Sequence, residues 1–77
     1  MNKITLYGKS NCKLCDEVKE LVVVLAMDYQ IDMTEVNIEE DEQLLRSYFL
    51  EIPVLFINGE KIDYREIDVF SLRERLH

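Results

Sequence analysis

Two cysteines are the whole thiol complement of this chain, and they lie two residues apart where a strand-like stretch gives way to a helix-like one. Residues 3–7 alternate between apolar and polar side chains, and from residue 13 to about residue 27 apolar side chains recur at helical spacing. A C-x-x-C motif in a strand–helix context is typical of a redox-active pair. Cys12 and Cys15 therefore predict a dithiol that cycles between reduced and disulfide forms at the head of a helix.

The middle of the chain continues the alternation of strand and helix. Residues 31–38 predict a weaker strand, in which the apolar side chains change parity between Met33 and Val36, so a bulge or an irregular edge is expected. Residues 39–49 predict a helix with an acidic first turn and an inner face of Leu44, Leu45 and Tyr48. Residues 54–57 form a continuous apolar run, which indicates a strand buried on both faces.

The last third of the chain predicts a hairpin and a final helix. Asn58 and Gly59 both tolerate positive φ and supply a two-residue turn, from which residues 61–64 return as a strand. Asp68 is a candidate N-cap for a helix that carries Val69, Phe70, Leu72 and Leu76. The order βαβαββα predicts an α/β sandwich with a four-stranded mixed sheet and three helices, and residues 1–77 as one domain.

An excess of acidic side chains narrows the range of partners. The chain has 16 acidic and 9 basic residues and a net charge of −7, whereas binding to phosphates needs a basic surface, so we expect no nucleic acid partner. The longest apolar run, residues 21–27, is far shorter than the roughly 20 residues of a transmembrane helix, so we expect no membrane partner. Because Met1-Asn2-Lys3 leads into only five residues of apolar or mixed character, we expect no secretory leader. We therefore expect a cytoplasmic protein, and a monomer.

The position of each cysteine predicts its role. Cys12 would lie in the first turn of the helix, where unpaired N–H groups, together with the nearby Lys9, stabilise a thiolate. Asp16 and Glu17 oppose this effect, so we expect a moderate lowering of the Cys12 pKa. Cys15 lies one turn further along and faces the sheet. Cys12 is therefore the predicted nucleophile, and Cys15 is predicted to resolve the mixed disulfide.

Other uses of the cysteine pair remain as alternatives. The two residues could be small core side chains, since free cysteine is often buried. A structural zinc site needs four ligands, but the chain has no second C-x-x-C, and its one histidine, His77, is the last residue. We therefore expect no metal site and no bound cofactor, and a metal shared across a dimer is the remaining metal-binding alternative.

The dipeptide Ile52-Pro53 opens the buried strand at residues 54–57. Proline is accepted at the first residue of a strand, and this alone would account for it. A cis Ile52–Pro53 bond would instead place a backbone edge beside the cysteines, with the N–H and C=O of Ile52 free to pair with an extended substrate peptide. Ile52 and Pro53 are therefore candidate substrate-binding residues.

Two longer segments carry a resemblance to a known family. Residues 6–15, Leu-Tyr-Gly-Lys-Ser-Asn-Cys-Lys-Leu-Cys, resemble the active-site segment of glutaredoxins, and residues 52–59, Ile-Pro-Val-Leu-Phe-Ile-Asn-Gly, resemble their cis-proline strand and hairpin. The spacing is similar to that of the small glutaredoxin-like branch with a C-x-L-C active site. The resemblance covers essentially the whole chain, and it implies the thioredoxin-like form of the α/β sandwich and dithiol–disulfide exchange.

The resemblance also implies a site for glutathione as co-substrate. Lys9, Ile52 and Asp68 fall near the positions that bind this tripeptide in glutaredoxins. The alternatives are that Lys9 is a solvated charge and that Asp68 is a plain helix cap. The chain departs from the family where glutaredoxins carry Thr-Val-Pro and a Gly-Gly pair, because it has Glu51-Ile52-Pro53 and no glycine in residues 63–67.

Two functions follow as hypotheses. The first is a thiol–disulfide oxidoreductase that acts on a disulfide-bearing protein or on a mixed disulfide with a low-molecular-weight thiol, and that is reduced by glutathione or by a thioredoxin-type reductase. The alternative is a thioredoxin-fold binding or redox-sensing module that docks a partner on the Ile52-Pro53 edge and the acidic surface. A third hypothesis, an iron–sulfur carrier bridged by Cys12 and glutathione, needs the glutathione site from which the chain departs.

Overall fold

A computed structural model describes all 77 residues and contains one four-stranded sheet in the order β2-β1-β3-β4. Short 3-10 turns at Ile38–Glu40 and Tyr64–Glu66 precede the second and third helices. The predicted βαβαββα order and the mixed sheet are confirmed. The strands and helices are β1 (Asn2–Gly8), α1 (Lys13–Leu25), β2 (Ile31–Asn37), α2 (Glu42–Tyr48), β3 (Val54–Ile57), β4 (Glu60–Ile62) and α3 (Val69–Arg75).

Strand β1 is central, since it pairs in parallel with β2 and antiparallel with β3. The ladder to β2 runs without interruption from Asn2 opposite Ile31 to Gly8 opposite Asn37. The predicted bulge in β2 is therefore wrong. The apolar parity changes because Glu35 occupies the α1 side of the strand, where its carboxylate forms an ion pair of 3.0 Å with Lys19 of α1.

The hydrophobic core lies on the face of the sheet that α1 and α3 cover. Helix α1 buries Cys15, Val18, Val22 and Leu25 along one stripe. Leu14, which shares the predicted apolar spacing, is instead 51% exposed. The core cluster joins three strands to two helices through Ile4, Leu6, Val18, Val22, Leu25, Leu55, Ile57, Ile62, Leu72 and Leu76.

Helix α2 covers the other face of the sheet and buries none of its residues. It begins at Glu42, later than predicted, because the Asp41 carboxylate caps it by accepting the N–H groups of Gln43 and Leu44. Leu45, predicted on the inner face, is exposed. Tyr48 anchors the helix, with its ring 5.2 Å from the ring of Tyr7 in β1. No helix of the structure combines the length and apolar character needed to cross a membrane.

The hairpin and the last helix follow the sequence closely. Asn58 and Gly59 have φ values of 49° and 88°, which confirms the predicted turn. Strand β4 ends at Ile62, earlier than predicted, because the Asp63 carboxylate accepts the N–H of Arg65 at 3.0 Å and starts a turn. Leu72 of α3 and Leu76, the C-cap of this helix, are buried, whereas Phe70 is 80% exposed.

Asn2 joins both ends of the chain to the hairpin. Its side chain is buried, and its amide donates to the carbonyls of Gln30 and His77 at 3.1 and 2.9 Å. Its side-chain oxygen accepts the N–H of His77 at 2.9 Å and the amide of Asn58 at 3.0 Å. One buried side chain thus satisfies four partners from three segments.

We expect Asn2→Ala to lower the free energy of unfolding by about 2 kcal/mol, because the groups of Gln30, Asn58 and His77 that bind the Asn2 side chain lose their hydrogen-bond partner. Urea titration followed by circular dichroism measures the change. Gln30→Ala is the matched control, since Gln30 gives this network only its backbone carbonyl, and it should change stability by less than about 0.5 kcal/mol. An Asn2→Ala protein as stable as the unmodified chain would show that the network contributes nothing.

Candidate active site

Cys12 and Cys15 lie at the N-terminus of α1 and are joined by a disulfide bond. Cys12 is the N-cap, with extended φ and ψ of −105° and 107°, and its Sγ accepts the N–H of Cys15 at 3.2 Å. The expected first-turn placement of Cys12 is thus shifted by one residue. Cys15 is only 6% exposed, whereas Cys12 is partly exposed. The two sulfurs therefore differ in their access to a substrate.

The helix terminus favours negative charge on Cys12. The Cys12 carbonyl accepts the first helical hydrogen bond, from the N–H of Asp16 at 3.1 Å, and the free N–H groups of this turn point toward the cap. These N–H groups stabilise a thiolate on the cap residue once the disulfide is reduced. Asp16 in the same turn and Glu17 directly after it are exposed, and their charges act in the opposite direction.

Gly8 makes the close packing of Cys15 against the sheet geometrically feasible. A Cβ atom at position 8 would lie 3.0 Å from the Sγ of Cys15 and 3.2 Å from its Cβ. Gly8 is the last residue of β1, and it was not predicted as a site residue. The position of Gly8 directly before the loop that carries Cys12 is the feature of the sequence from which this contact could have been predicted.

Polar contacts fasten the loop between β1 and α1 to the chain that follows β2. The Ser10 N–H donates to a Glu39 carboxylate oxygen at 3.2 Å, and the Asn37 amide donates to the Ser10 hydroxyl at 3.2 Å. The Asn37 side chain in turn accepts the N–H of Glu39 at 2.9 Å. Asn11 completes the loop with a positive φ of 57°. These residues were missed, because contacts between segments 27–29 residues apart leave no local pattern.

A polar cleft of about 310 Å³ opens between α1, β1 and β2. Lys9 and Cys15 both line it, so the structure places this predicted cation and the buried sulfur around one space. Lys9 itself is exposed. The ion pair between Lys19 and Glu35 forms part of the wall. The buried sulfur thus lies at the edge of a charged, water-accessible cleft.

The second predicted feature lies at the start of β3. The Ile52–Pro53 peptide bond is cis, and Pro53 is fully buried. The N–H of Ile52 is not free as expected, because it donates to the Tyr48 carbonyl at 3.1 Å at the end of α2. The carbonyl of Ile52 accepts no hydrogen bond. Of the two Ile52 groups that were predicted to pair with a substrate peptide, only the carbonyl is therefore available.

A second groove, of about 270 Å³, lies on the side of α1 opposite β2. We call it the proline groove. Leu14, between the two cysteines, and Tyr64 give it an exposed apolar rim. The Ile52-Pro53 segment is thereby joined to the cysteine motif through a continuous apolar surface. The groove is lined by Leu14, Glu17, Val18, Leu21, Pro53, Tyr64 and Ile67.

Asp68 lines neither cavity. Its carboxylate caps α3 by accepting the N–H of Ser71 at 2.9 Å, and it lies 3.4 Å from the Ser71 hydroxyl. The helix-cap interpretation of Asp68 therefore has direct structural support. No group of three or more His, Cys, Asp or Glu side chains is arranged to hold a metal ion.

A comparison with protein families places these features in a known group. The model for the Glutaredoxin-like domain (DUF836) matches residues 3–77. The match spans both cysteines, the cis-proline and all three helices.

Solved structures of similar proteins have the same arrangement of strands and helices. Protein Ne2328 from Nitrosomonas europaea is 30% identical, with a TM-score of 0.81 over 99% of this chain and 92% of that one. A protein from X. campestris is 30% identical, with a TM-score of 0.78 over 92% and 91%. A variant of the thioredoxin-like protein BC3987 is 22% identical, with a TM-score of 0.68 over 96% and 99%. The fold is therefore thioredoxin-like.

We expect Gly8→Ala to destabilise the disulfide form by about 1–3 kcal/mol, because the new methyl group overpacks against Cys15. Denaturant titration of the oxidised protein measures the loss. The equilibrium between dithiol and disulfide in a glutathione buffer should also shift toward the dithiol, since a free thiol can rotate away from the methyl group and a bonded sulfur cannot.

Gly59→Ala is the control for this variant. A Cβ there meets open space, but its φ of +88° strains an alanine. Stability should fall, while the dithiol–disulfide equilibrium stays as in the unmodified chain. Equal redox equilibria in the two variants would contradict a special role for the contact between Gly8 and Cys15.

Proposed function

This chain belongs to the family of glutaredoxin-like domains, and from that premise we propose that it is a thiol–disulfide oxidoreductase that works through Cys12 and Cys15. The observation that carries the proposal is the asymmetry of the pair. Cys12 is a partly exposed N-cap, whereas Cys15 is buried one turn further along. An exposed sulfur at a helix N-terminus suits attack on a substrate, and a buried neighbour suits the second, intramolecular step.

The proposed reaction transfers two electrons from the dithiol to a substrate disulfide. The Cys12 thiolate attacks one substrate sulfur, which breaks the substrate disulfide, forms a mixed disulfide and releases the other sulfur as a thiolate that takes up a proton. Cys15 then loses its proton and attacks the Sγ of Cys12. The bond between Cys12 and Cys15 forms, and the second substrate sulfur leaves as a thiol.

The geometry supports three contributions to this cycle. The N–H of Cys15, 3.2 Å from the Sγ of Cys12, favours the attacking thiolate. Gly8 lets Cys15 lie against the sheet, within reach of Cys12 when the mixed disulfide forms. The carbonyl of Ile52, which has no partner, is proposed to accept an N–H from an extended substrate beside Pro53.

Lys9 and Asp68 are proposed to contribute less directly. Lys9 is exposed and lines the polar cleft together with Lys19 and three carboxylates, so we propose that its charge attracts an anionic thiol compound only weakly. Asp68 is already engaged by the N–H of Ser71, which supports the role of helix cap over that of glutathione ligand.

The substrates in this proposal are disulfide-bearing proteins or mixed disulfides with low-molecular-weight thiols. Regeneration of the dithiol needs two electrons, which either glutathione or a thioredoxin-type reductase would supply. A reducing compartment such as the cytoplasm would keep that supply available.

We expect Cys15→Ser to trap a mixed disulfide through Cys12, because the first step proceeds and the second has no attacking sulfur. Cys12→Ser is the control, and it should trap nothing. The measurement is mass spectrometry of each variant after incubation with a disulfide-bearing peptide, with and without a reductant. Trapping through Cys15 would reverse the roles, and no trapping in either variant would contradict the proposed function.

A further inference from the structure

The proline groove combines an apolar lining with negative charge. Five of its seven lining residues are hydrophobic, and Glu17 is the only charged residue among them. No lysine or arginine lines the groove. The lining of the cleft on the other side of α1 differs, because two lysines, Lys9 and Lys19, line it together with three carboxylates, Asp16, Glu35 and Glu40. The proline groove is therefore apolar with one negative charge, whereas the cleft holds charges of both signs.

The segment that forms the far wall of the groove increases this negative charge. Residues 63–68 contain three acidic side chains and one basic side chain. The basic one, Arg65, forms an exposed ion pair of 3.6 Å with the Asp63 carboxylate. The N–H of Arg65 also donates to Asp63, which lowers the pKa of that carboxyl and keeps it ionised. Glu66 and Asp68 flank the lining residue Ile67.

The size and lining of the groove suit a side chain better than a whole small molecule. Its volume, about 270 Å³, is below the usual range of about 300–1,000 Å³ for small-molecule sites. A buried floor of Val18 and Pro53 would contact an apolar side chain, and the exposed Leu14 and Tyr64 would cover it. The aliphatic part of a neighbouring lysine or arginine could follow the same rim and place its cation near Glu17.

We propose that the proline groove selects protein substrates in which the reacting cysteine is accompanied by a large apolar residue and a basic residue. This proposal deepens the proposed function and rests on it. It also predicts discrimination against acidic segments and against the anionic tripeptide disulfide of glutathione, because the groove offers them no cation. Pairing of the substrate with the Ile52 carbonyl would orient the segment along the groove.

The test is a single turnover of the pre-reduced protein with three peptides of equal length, each carrying one cysteine as a mixed disulfide with 2-mercaptoethanol. The first peptide has leucine beside the cysteine and two flanking lysines. The second replaces both lysines with glutamates, and the third replaces the leucine with alanine. Formation of the bond between Cys12 and Cys15 is timed. Each rate is divided by the rate with bis(2-hydroxyethyl) disulfide, a small neutral reference.

The leucine–lysine peptide should react about fivefold faster than the leucine–glutamate peptide at low salt, and the gap should close as salt screens the charges. The alanine peptide should be slower than the leucine–lysine peptide, and oxidised glutathione should be as slow as the glutamate peptide. Glu17→Lys should reverse the preference for charge. Glu20→Lys, the same change one turn along α1 and outside the groove, should leave the preference intact.

Two negative outcomes separate this proposal from the proposed function. Equal normalised rates for the three peptides, or equal effects of the two lysine variants, would overturn the selectivity while the reference disulfide is still reduced. If the reference disulfide itself is not reduced, the proposed function fails and the selectivity fails with it.

Discussion

The contact between Gly8 and Cys15 is the constraint on which the rest of the site depends. Without a Cβ at the end of β1, the first turn of α1 approaches the sheet closely, and the Sγ of Cys15 fills the space that a side chain would take. Burial of Cys15 then leaves Cys12, three residues earlier, at the surface as the N-cap. The different environments of the two sulfurs thus follow from how one helix docks on one strand.

The proline side of the site depends on Tyr48, the last residue of α2. Its ring lies against Tyr7, its carbonyl accepts the N–H of Ile52, and the Lys61 ammonium lies 5.5 Å above its ring. Helix α2 buries no residue, so these contacts are its main link to the sheet near the site. The position of the Ile52 carbonyl therefore depends on a helix that contributes little to the hydrophobic core. A displacement of α2 would move this carbonyl, which is the proposed hydrogen-bond acceptor for the substrate.

Local patterns in the sequence predicted the elements that local forces determine. The helical spacing of α1, the apolar run of β3 and the Asn58-Gly59 turn all predicted what the structure contains. The expectations that failed depend on contacts between distant segments. The bulge in β2 was inferred from a parity change that an ion pair between Glu35 and Lys19 explains. The free N–H of Ile52 was inferred without knowledge of where α2 ends.

The acidic residues around α1 affect both the reactivity of Cys12 and the choice of substrate. Negative charge in its first turns, including Glu17, disfavours the Cys12 thiolate, while the helix terminus favours it. A cationic substrate segment in the proline groove would offset that negative charge at the moment of attack. The nucleophile would then be most reactive when such a segment is docked and less reactive toward anionic thiol compounds in solution. On this argument the acidity that weakens the free thiolate is part of how the site distinguishes its substrates, since specificity is a difference between the interactions of two competitors.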